Sequence, residues 1–175
     1  MNTDYNSVLA IDPGARNCGY ANIVYDFDSE VFYLEDIGDI ELRDDEFGGR
    51  MFEMARRIYD QIDKYNCDFV CYEAVLFGKN VTNALNTAKI IGAIELAAWQ
   101  QSVASVGYPP QKIKKLITGN GRATKDEMRE SVAKLIDIEK SDEYETWYTK
   151  VSHHIIDACA ISIAGIQLFD PEKDG

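Results

Sequence analysis

The sequence is poor in cysteine, and its cysteines are not arranged as zinc ligands. Four cysteines occur in 175 residues. Cys67 and Cys71 stand four apart, without the Cys-x-x-Cys spacing typical of zinc sites. We therefore expect reduced and mostly buried thiols in a cytoplasmic protein. The chain also lacks an internal repeat and a low-complexity linker, which favours a single domain over residues 1–175.

Long hydrophobic runs are absent as well. The start, "MNTDYNSV", has neither a basic region nor an apolar core, so we expect no signal peptide. The longest apolar helical stretch, "IIGAIELAAW", is too short to span a bilayer and contains Glu95. The sequence thus predicts no membrane partner and a cytoplasmic location.

Positive charge is scarce. The chain carries 18 Lys and Arg against 30 Asp and Glu, a formal net charge of −12. This balance argues against a general nucleic-acid binder, because phosphate contacts need a basic surface. The charge is nevertheless uneven, because residues 112–129 hold six basic side chains and two acids, whereas residues 26–68 are strongly acidic. The pattern fits either a basic working face with an acidic back or an ordinary solvated surface.

Hydrophobic periodicity predicts five strands and five helices in the order βββαβαβααα. The strands are "SVLAI", "CGYANIVYD", "EVFYLEDIGDIEL", "CDFVCYE" and "SVASVGY". Among the helices, "KDEMRESVAKLI" begins with a capping box of Thr124 and Glu127, and Asn80 or Thr82 caps the longest one. A meander joined to βαβ crossovers predicts an α/β fold, a mixed sheet with helices on its faces.

Two acids close apolar strands. Asp12 follows "VLAI", and Glu73 ends "CDFVCYE". If these strands are parallel neighbours, both carboxylates emerge at the same edge of the sheet, where ligands bind in open α/β sheets. The simpler interpretation of Asp12 is a turn, because Pro13 and Gly14 follow it.

A third acid lies in the last predicted helix. Asp157 stands in the apolar run "IIDACAISIA", where a carboxylate needs a partner. His153 and His154 precede it by four and three residues, spacings that put them on its face of the helix. Oxygen ligands with at most one imidazole suit Mg²⁺ or Mn²⁺ rather than zinc. Two such ions about 4 Å apart could align a water, a phosphate and a leaving oxygen.

Four segments in order resemble the RuvC family of Holliday-junction resolvases, in the ribonuclease H-like superfamily. They are "LAIDPGARNCGYA", "CYEAVLFGKNVTNALNTAKIIGAI", "YPPQKIKKLITGNGRATKDEM" and "HIIDACAIS". The first alone is weak, since sugar-kinase and heat-shock ATPases share it, but four in the right order form a specific signal. The resemblance implies a ribonuclease H-like mixed five-stranded β-sheet flanked by α-helices.

The resemblance also implies roles for individual residues. Asp12, Glu73 and Asp157 fall on the family's metal-binding carboxylates, and His154 falls on a fourth position that is Asp or His in the family. This implies a catalytic and metal-binding set of four residues, with Mg²⁺ as cofactor, Mn²⁺ as a substitute, and two ions per site. Whether His154 binds metal or orients the attacking water is left open.

Seven residues are expected to contact DNA. Lys114 and Lys125 fall on DNA-contacting lysines of the family, and Leu76 and Phe77 fall where members place an apolar wedge at the junction centre. Core packing is an equally good interpretation of the two apolar residues. Basic side chains in the segments that the resemblance puts on the catalytic face complete the set: Lys79, Lys115 and Arg122.

The implied function is a metal-dependent, structure-selective endonuclease acting as a homodimer. Paired nicks in opposed strands would resolve Holliday junctions and other branched DNA, leaving 5′-phosphate and 3′-hydroxyl ends. The resemblance suggests that the dimer forms near the longest helix, where Ala84, Ala88, Ile91 and Glu95 lie on one stripe that Leu85, Ala93 and Leu96 extend. It identifies no branch-migration partner. A bacteriophage origin, with work in the cytoplasm of the bacterial host, is a further expectation.

Two alternatives come from other functional classes. The first is a nucleotide-binding ATPase-like domain of the actin or heat-shock type, which would use the loop from Asp12 to Gly14 for phosphate. It lacks a second glycine-rich phosphate loop and leaves Asp157 with His154 unexplained. The second is a catalytically inactive DNA-junction binder, against which the intact acidic set argues.

Overall fold

The computed structural model describes residues 5–75, 80–136 and 151–169 and confirms the predicted order of elements. The strands are β1 (Tyr5–Asp12), β2 (Asn17–Asp26), β3 (Val31–Glu41), β4 (Phe69–Glu73) and β5 (Ala104–Tyr108). The helices are α1 (Phe47–Tyr65), α2 (Val81–Gln100), α3 (Pro110–Thr118), α4 (Lys125–Leu135) and α5 (His153–Leu168).

The five strands form one mixed sheet in the order β3-β2-β1-β4-β5. β1 pairs antiparallel with β2 and parallel with β4, and β4 pairs parallel with β5. β1 is therefore the central strand, and α1 connects β3, at one edge of the sheet, to β4 on the other side of β1. The two acid-ending strands are thus parallel neighbours, which is the condition for both carboxylates to emerge at one edge of the sheet.

Alternation along β1 divides the core into two layers. Val8 and Ala10 pack on one face against α5, and α3 and α4 complete that layer. Leu9 and Ile11 pack on the other face against α1 and α2. All four side chains are fully buried, which explains why this strand reads as a continuous apolar run.

The same alternation decides where the strand-end acids point. Asp12 has the parity of Val8 and Ala10, and Glu73 has the parity of the α5-facing residues of β4. Ile11 pairs with Tyr72, so the next residues of the two strands, Asp12 and Glu73, come side by side. Both carboxylates therefore lie on the face that α5 covers.

Local capping signals agree with the structure. The side chain of Asn80 accepts a hydrogen bond from the backbone of Asn83 at the start of α2, so Asn80 rather than Thr82 is the cap. Thr124 and Glu127 form the predicted capping box of α4. All four cysteines are free and buried, as predicted. Within residues 5–75, 80–136 and 151–169, no helix is long and apolar enough to cross a bilayer.

The exposed face of α2 differs from the predicted stripe. Ala84, Ile91 and Ala93 are buried in the core between α2 and the sheet. Leu85 and Leu96 are exposed, as are the aromatic and aliphatic residues at the two ends of the helix, Trp99 and Val81. Burial of one apolar side still leaves a second apolar side in contact with solvent.

Candidate active site

The turn after Asp12 is fixed by a buried thiol. The backbone N–H of Gly14 donates to Sγ of Cys18 at 3.2 Å, and the thiol donates to the carbonyl oxygen of Gly14 at the same distance. Cys18 is fully buried, so these contacts tie the turn to the core. Asp12-Pro13-Gly14 does therefore form a turn, as the simpler interpretation has it. A turn alone does not account for the surroundings of the Asp12 carboxylate.

Helix α5 brings the third acid to the same place. Asp157 lies in the second turn of α5, half-buried, one turn beyond His154. Nδ1 of His154 lies 2.5 Å from Oδ2 of Asp12, a hydrogen bond between residues 142 positions apart. This contact selects His154 of the two predicted histidines. His153 lies at the exposed start of α5, where desolvation and the charges of Lys125 and Arg129 lower its pKa.

All three carboxylates of the site have raised pKa values. Burial raises the pKa of Glu73 to about 7, with further contributions from the negative charges of Asp12 and Asp157. Burial and the charge of Asp12 raise the pKa of Asp157 to about 6. Burial also raises the pKa of Asp12, although the hydrogen bond and charge of His154 oppose the shift. Partly buried acids whose charges repel in this way favour the binding of a cation.

The side chains as they stand do not enclose a metal. Among the described residues, no group of three His, Cys, Asp or Glu side chains is placed to hold one ion. The shared electrostatic effects of Asp12, Glu73 and Asp157 nevertheless place all three acids in one patch, and their hard oxygen donors fit Mg²⁺ or Mn²⁺.

Comparison with a family model shows which protein family the chain belongs to. The model for crossover junction endodeoxyribonuclease RuvC matches residues 8–164, which include Asp12, Glu73, His154 and Asp157. The chain belongs to the RuvC family. This membership favours the nuclease over the nucleotide-binding ATPase that shares the first motif.

Relatives of known name cover most of the chain. It is 30% identical to the crossover junction endodeoxyribonuclease RuvC of a Sulfurovum species, over 92% of this chain and 95% of that protein. It is 30% identical to the enzyme of the same name from Corynebacterium glutamicum, over 78% of this chain but only 62% of that protein. The structure of Thermus thermophilus RuvC in complex with Holliday junction substrate superposes with a TM-score of 0.79 at 21% identity, covering 92% and 93% of the two chains. The predicted ribonuclease H-like resolvase fold is confirmed.

Two of the predicted DNA-binding lysines lie beside the acids of this RuvC-family site. The charge of Lys114 lowers the pKa values of Glu73 and Asp157, and its Nζ donates to the carbonyl oxygen of Ala123 at 3.1 Å. The charge of Lys125, the first residue of α4, lowers the pKa values of Asp12 and Asp157. These lysines partly offset the negative charge of the cluster.

The other predicted DNA contacts are less closely tied to the acids. Lys115 is exposed on α3, and Arg122 is exposed in the loop between α3 and α4. Leu76, Phe77 and Lys79 lie outside the described residues. Their roles stay predictions.

A polar groove beside Glu73 was not foreseen from the sequence. It has a volume of about 350 Å³ and opens between the strand ends and the start of α2. Its lining includes Glu73, Pro13, Asn83 and Thr87. The two α2 side chains carry no local signal for such a role, because polar residues near the start of a helix read as ordinary surface.

The raised pKa of Glu73 predicts a pH-dependent stability. The pKa of Glu73 is about 7 in the fold against an ordinary value of 4.5, so between these pH values the folded state retains a proton that the unfolded state has lost. The free energy of unfolding of the metal-free protein should therefore fall as the pH rises from about 5 to about 8, by a few kcal/mol at most. Urea unfolding at the two pH values measures this change.

Two variants isolate the contribution of Glu73 to this pH dependence. Glu73→Gln should flatten the decline because an amide does not titrate, whereas Asp28→Asn, in the hairpin at the opposite end of β2, should keep it. Equal pH dependence in wild type and Glu73→Gln would show that Glu73 titrates normally in the fold.

Proposed function

We propose that this RuvC-family chain is a metal-dependent, structure-selective endonuclease that resolves Holliday junctions and other branched DNA. The observation that carries the proposal is the convergence of Asp12, Glu73 and Asp157, from three separate segments, on one face at one end of the sheet. Family membership supplies the reaction class. The Thermus thermophilus relative, solved with a Holliday junction substrate, supports four-way DNA as the substrate class.

Asp12, Glu73 and Asp157 would hold the metal ions. When bound, Mg²⁺, or Mn²⁺ as a substitute, supplies positive charge at the scissile phosphate and at the attacking water. We propose two ions per site, because three carboxylates carry more negative charge than one divalent ion offsets. Ionised carboxylates bind cations best, so the raised pKa values of Glu73 and Asp157 favour cleavage at neutral to alkaline pH.

The chemistry of the step is hydrolysis of one phosphodiester bond. The oxygen of a water forms a bond to phosphorus, the bond from phosphorus to O3′ breaks, and the ends are a 5′-phosphate and a 3′-hydroxyl. His154, held against Asp12, either ligates a metal or orients this water. Lys114 and Lys125 offset phosphate charge at the site.

DNA contacts away from the acids complete the proposal. Lys115 and Arg122, both exposed, would contact phosphates of the junction arms. Lys79 would do the same, and Leu76 and Phe77 would form the apolar wedge at the junction centre; these three residues lie outside the described part of the chain. Such contacts read the shape of the junction rather than its sequence, which is how a protein of net charge −12 can select branched DNA.

We further propose that the enzyme is a homodimer formed through α2. Two hydrophobic side chains on the solvent side of this helix, Leu85 and Leu96, are half exposed, and Trp99 is 80% exposed. Gly92 lies between the two leucines with open space around it, which would allow a second helix to approach closely. Two-fold symmetry would place two equivalent sites on opposed strands of a four-way junction.

Leu96→Asp should convert the dimer into a monomer, because it would bury a charge in the proposed interface. Sedimentation velocity at micromolar concentration should show a dimer for the wild type and a monomer for the variant. Phe52→Asp is the matched control, since Phe52 is a 72% exposed side chain on α1, and it should remain a dimer. A wild type that is monomeric with and without junction DNA would contradict the proposed dimer.

The direct test of the proposed function is cleavage of a labelled four-way junction with Mg²⁺, compared with linear duplex of the same sequence. We expect paired nicks in opposed strands of the junction and little cleavage of the duplex. Equal cleavage of both substrates would refute selectivity for structure. Junction binding without any cleavage would support the alternative of an inactive binder.

Three further expectations accompany this proposal. The described helices cover both faces of one sheet, which supports a single nuclease domain over residues 1–175. A cytoplasmic location and a bacteriophage origin stay predictions.

A further inference from the structure

The first turn of α5 carries His154 on its exposed side, whereas Ile155 and Ile156 of the same turn are buried. His153 and His154 are exposed, whereas the helix from Ala158 to Gly165 is buried against the sheet. The buried part is anchored further by the hydroxyl of Ser162, which donates to the carbonyl oxygen of Val8 at 3.3 Å. Core packing holds the buried side of this turn, and polar contacts at its start bear on the exposed side from which His154 reaches Asp12.

A hydrogen bond from the edge strand β3 holds the start of this turn. The hydroxyl of Ser152 donates to Oδ1 of Asp39 on β3 at 2.6 Å. The hydroxyl oxygen of Ser152 also accepts a hydrogen bond from the backbone N–H of Ile155 at 3.2 Å, so Ser152 is the N-cap of α5. Asp39 therefore holds the residue that begins the helix, two positions before His154.

Strand register explains why Asp39 is in the right place. Asp12 pairs with Gly19, and Gly19 pairs with Asp39, so the three residues form one row across β1, β2 and β3. The start of α5 crosses this row. It rests directly on Gly19, where a Cβ atom would lie 2.1 Å from the carbonyl oxygen of His154.

We propose that Asp39 and Ser152 are positioning residues, which with the gap left by Gly19 set the place of His154 and Asp157 relative to Asp12. Asp39 lies two strands from Asp12, about 10 Å at ordinary strand spacing, so its carboxylate holds the helix rather than a shared metal. The inference rests on the proposed function for its effect on cleavage, but the placement of His154 is measurable without cleavage.

The first experiment reads the place of His154 directly in the metal-free full chain. The protein has only two histidines, so ring-nitrogen NMR resonances at one fixed pH are assigned with a single His153→Gln variant. Asp39→Ala should shift the His154 resonances, because the hydrogen bond to Asp12 loosens. Asp39→Asn keeps an oxygen acceptor for Ser152 and should restore the wild-type pattern.

The matched control is a second serine–aspartate pair in the same hairpin. The hydroxyl of Ser29 donates to Oδ2 of Asp26 at 2.8 Å, at the end of β2 away from the site. Ser29→Ala removes a hydrogen bond of the same kind and should leave the His154 resonances and the cleavage rate unchanged. Unchanged resonances in Asp39→Ala, or equal shifts in Ser29→Ala, would overturn the proposal.

The second experiment follows single-turnover cleavage of a four-way junction. Small misplacements of catalytic groups lower rates steeply, so Asp39→Ala should slow cleavage about tenfold with the Kd for the junction unchanged. Asp39 and Ser152 act through the same hydrogen bond. The double variant Asp39→Ala/Ser152→Ala should therefore cleave no more slowly than the slower of the two single variants. Full additivity of the two losses, or weaker junction binding in place of slower cleavage, would contradict a positioning role.

The two experiments separate this inference from the proposed function. A wild type that does not cleave the junction refutes the proposed function, while the NMR comparison still decides whether Asp39 places His154. A wild type that cleaves, with Asp39→Ala equally fast, refutes the positioning role alone.

Discussion

Glu73→Gln should abolish nicking of a four-way junction while leaving the Kd for that junction nearly unchanged. The substitution keeps the shape of the side chain and removes its charge, so it removes a proposed metal ligand without disturbing β4. Asp12→Asn and Asp157→Asn should behave in the same way, since the three acids lie together. We expect a loss of about a thousandfold or more, the scale on which metal-assisted hydrolysis depends on its ions.

The measurement is the single-turnover cleavage rate with saturating Mg²⁺, alongside junction binding in Ca²⁺ or without metal. Asp28→Asn is the control, an isosteric acid-to-amide change in the β2–β3 hairpin, and it should cleave normally. If any of the three amide variants keeps a near-normal rate, that residue is not a metal ligand. If all three lose binding together with cleavage, the acids serve the fold or the DNA contact rather than the chemistry.

His154→Ala should lose most of the nicking activity, by about a hundredfold. It removes either a metal ligand or the group that orients the water, and groups in such positions contribute factors of about 10² to 10⁴. It also removes the hydrogen bond to Asp12, which opposes the raised pKa of that acid. The neighbouring His153→Ala is the matched control and should lose little, because His153 lies beside Lys125 and Arg129 rather than on the acids.

His154→Asp tests whether activity needs an imidazole ring at position 154 or only a metal-binding side chain there. An oxygen ligand serves a hard cation at least as well as nitrogen, so this variant should retain activity with Mg²⁺. Cleavage rates of the three variants, measured across a range of Mg²⁺ concentrations, give the comparison. A more severe loss in His153→Ala than in His154→Ala would move the assignment to His153.

The order of elements and the site acids were predictable because their signals are local. Burial on both faces makes β1 and β4 continuous apolar runs, so a carboxylate at the end of each stands out in the sequence. Thr124 and Glu127 indicate the start of α4 in the sequence, because a capping box involves residues only three apart. These signals depend on the chain within one turn or one strand, and they were sufficient for the order of elements, whereas the order of strands in the sheet comes from the structure.

Tertiary packing decides which side of a helix is buried. Periodicity along α2 indicated an apolar helix, but Ala84 and Ile91 turned out to be core residues, whereas Leu96 and Trp99 face solvent. A helix that is apolar on most of its circumference gives no sequence signal that separates the side packed on its own sheet from the side left exposed. Packing of α1 and the sheet against α2 decided it.

By itself, then, the sequence determined the mixed fold and the identity of the strand-end acids, because alternation and capping depend on near neighbours. Helical spacing alone did not separate His153 from His154; the resemblance pointed to His154, and the tertiary structure shows that His154 meets Asp12. Only the tertiary structure decided that Asp39 and Ser152, 113 residues apart, share a hydrogen bond. Such contacts depend on strand register and helix placement, which no short stretch of sequence encodes.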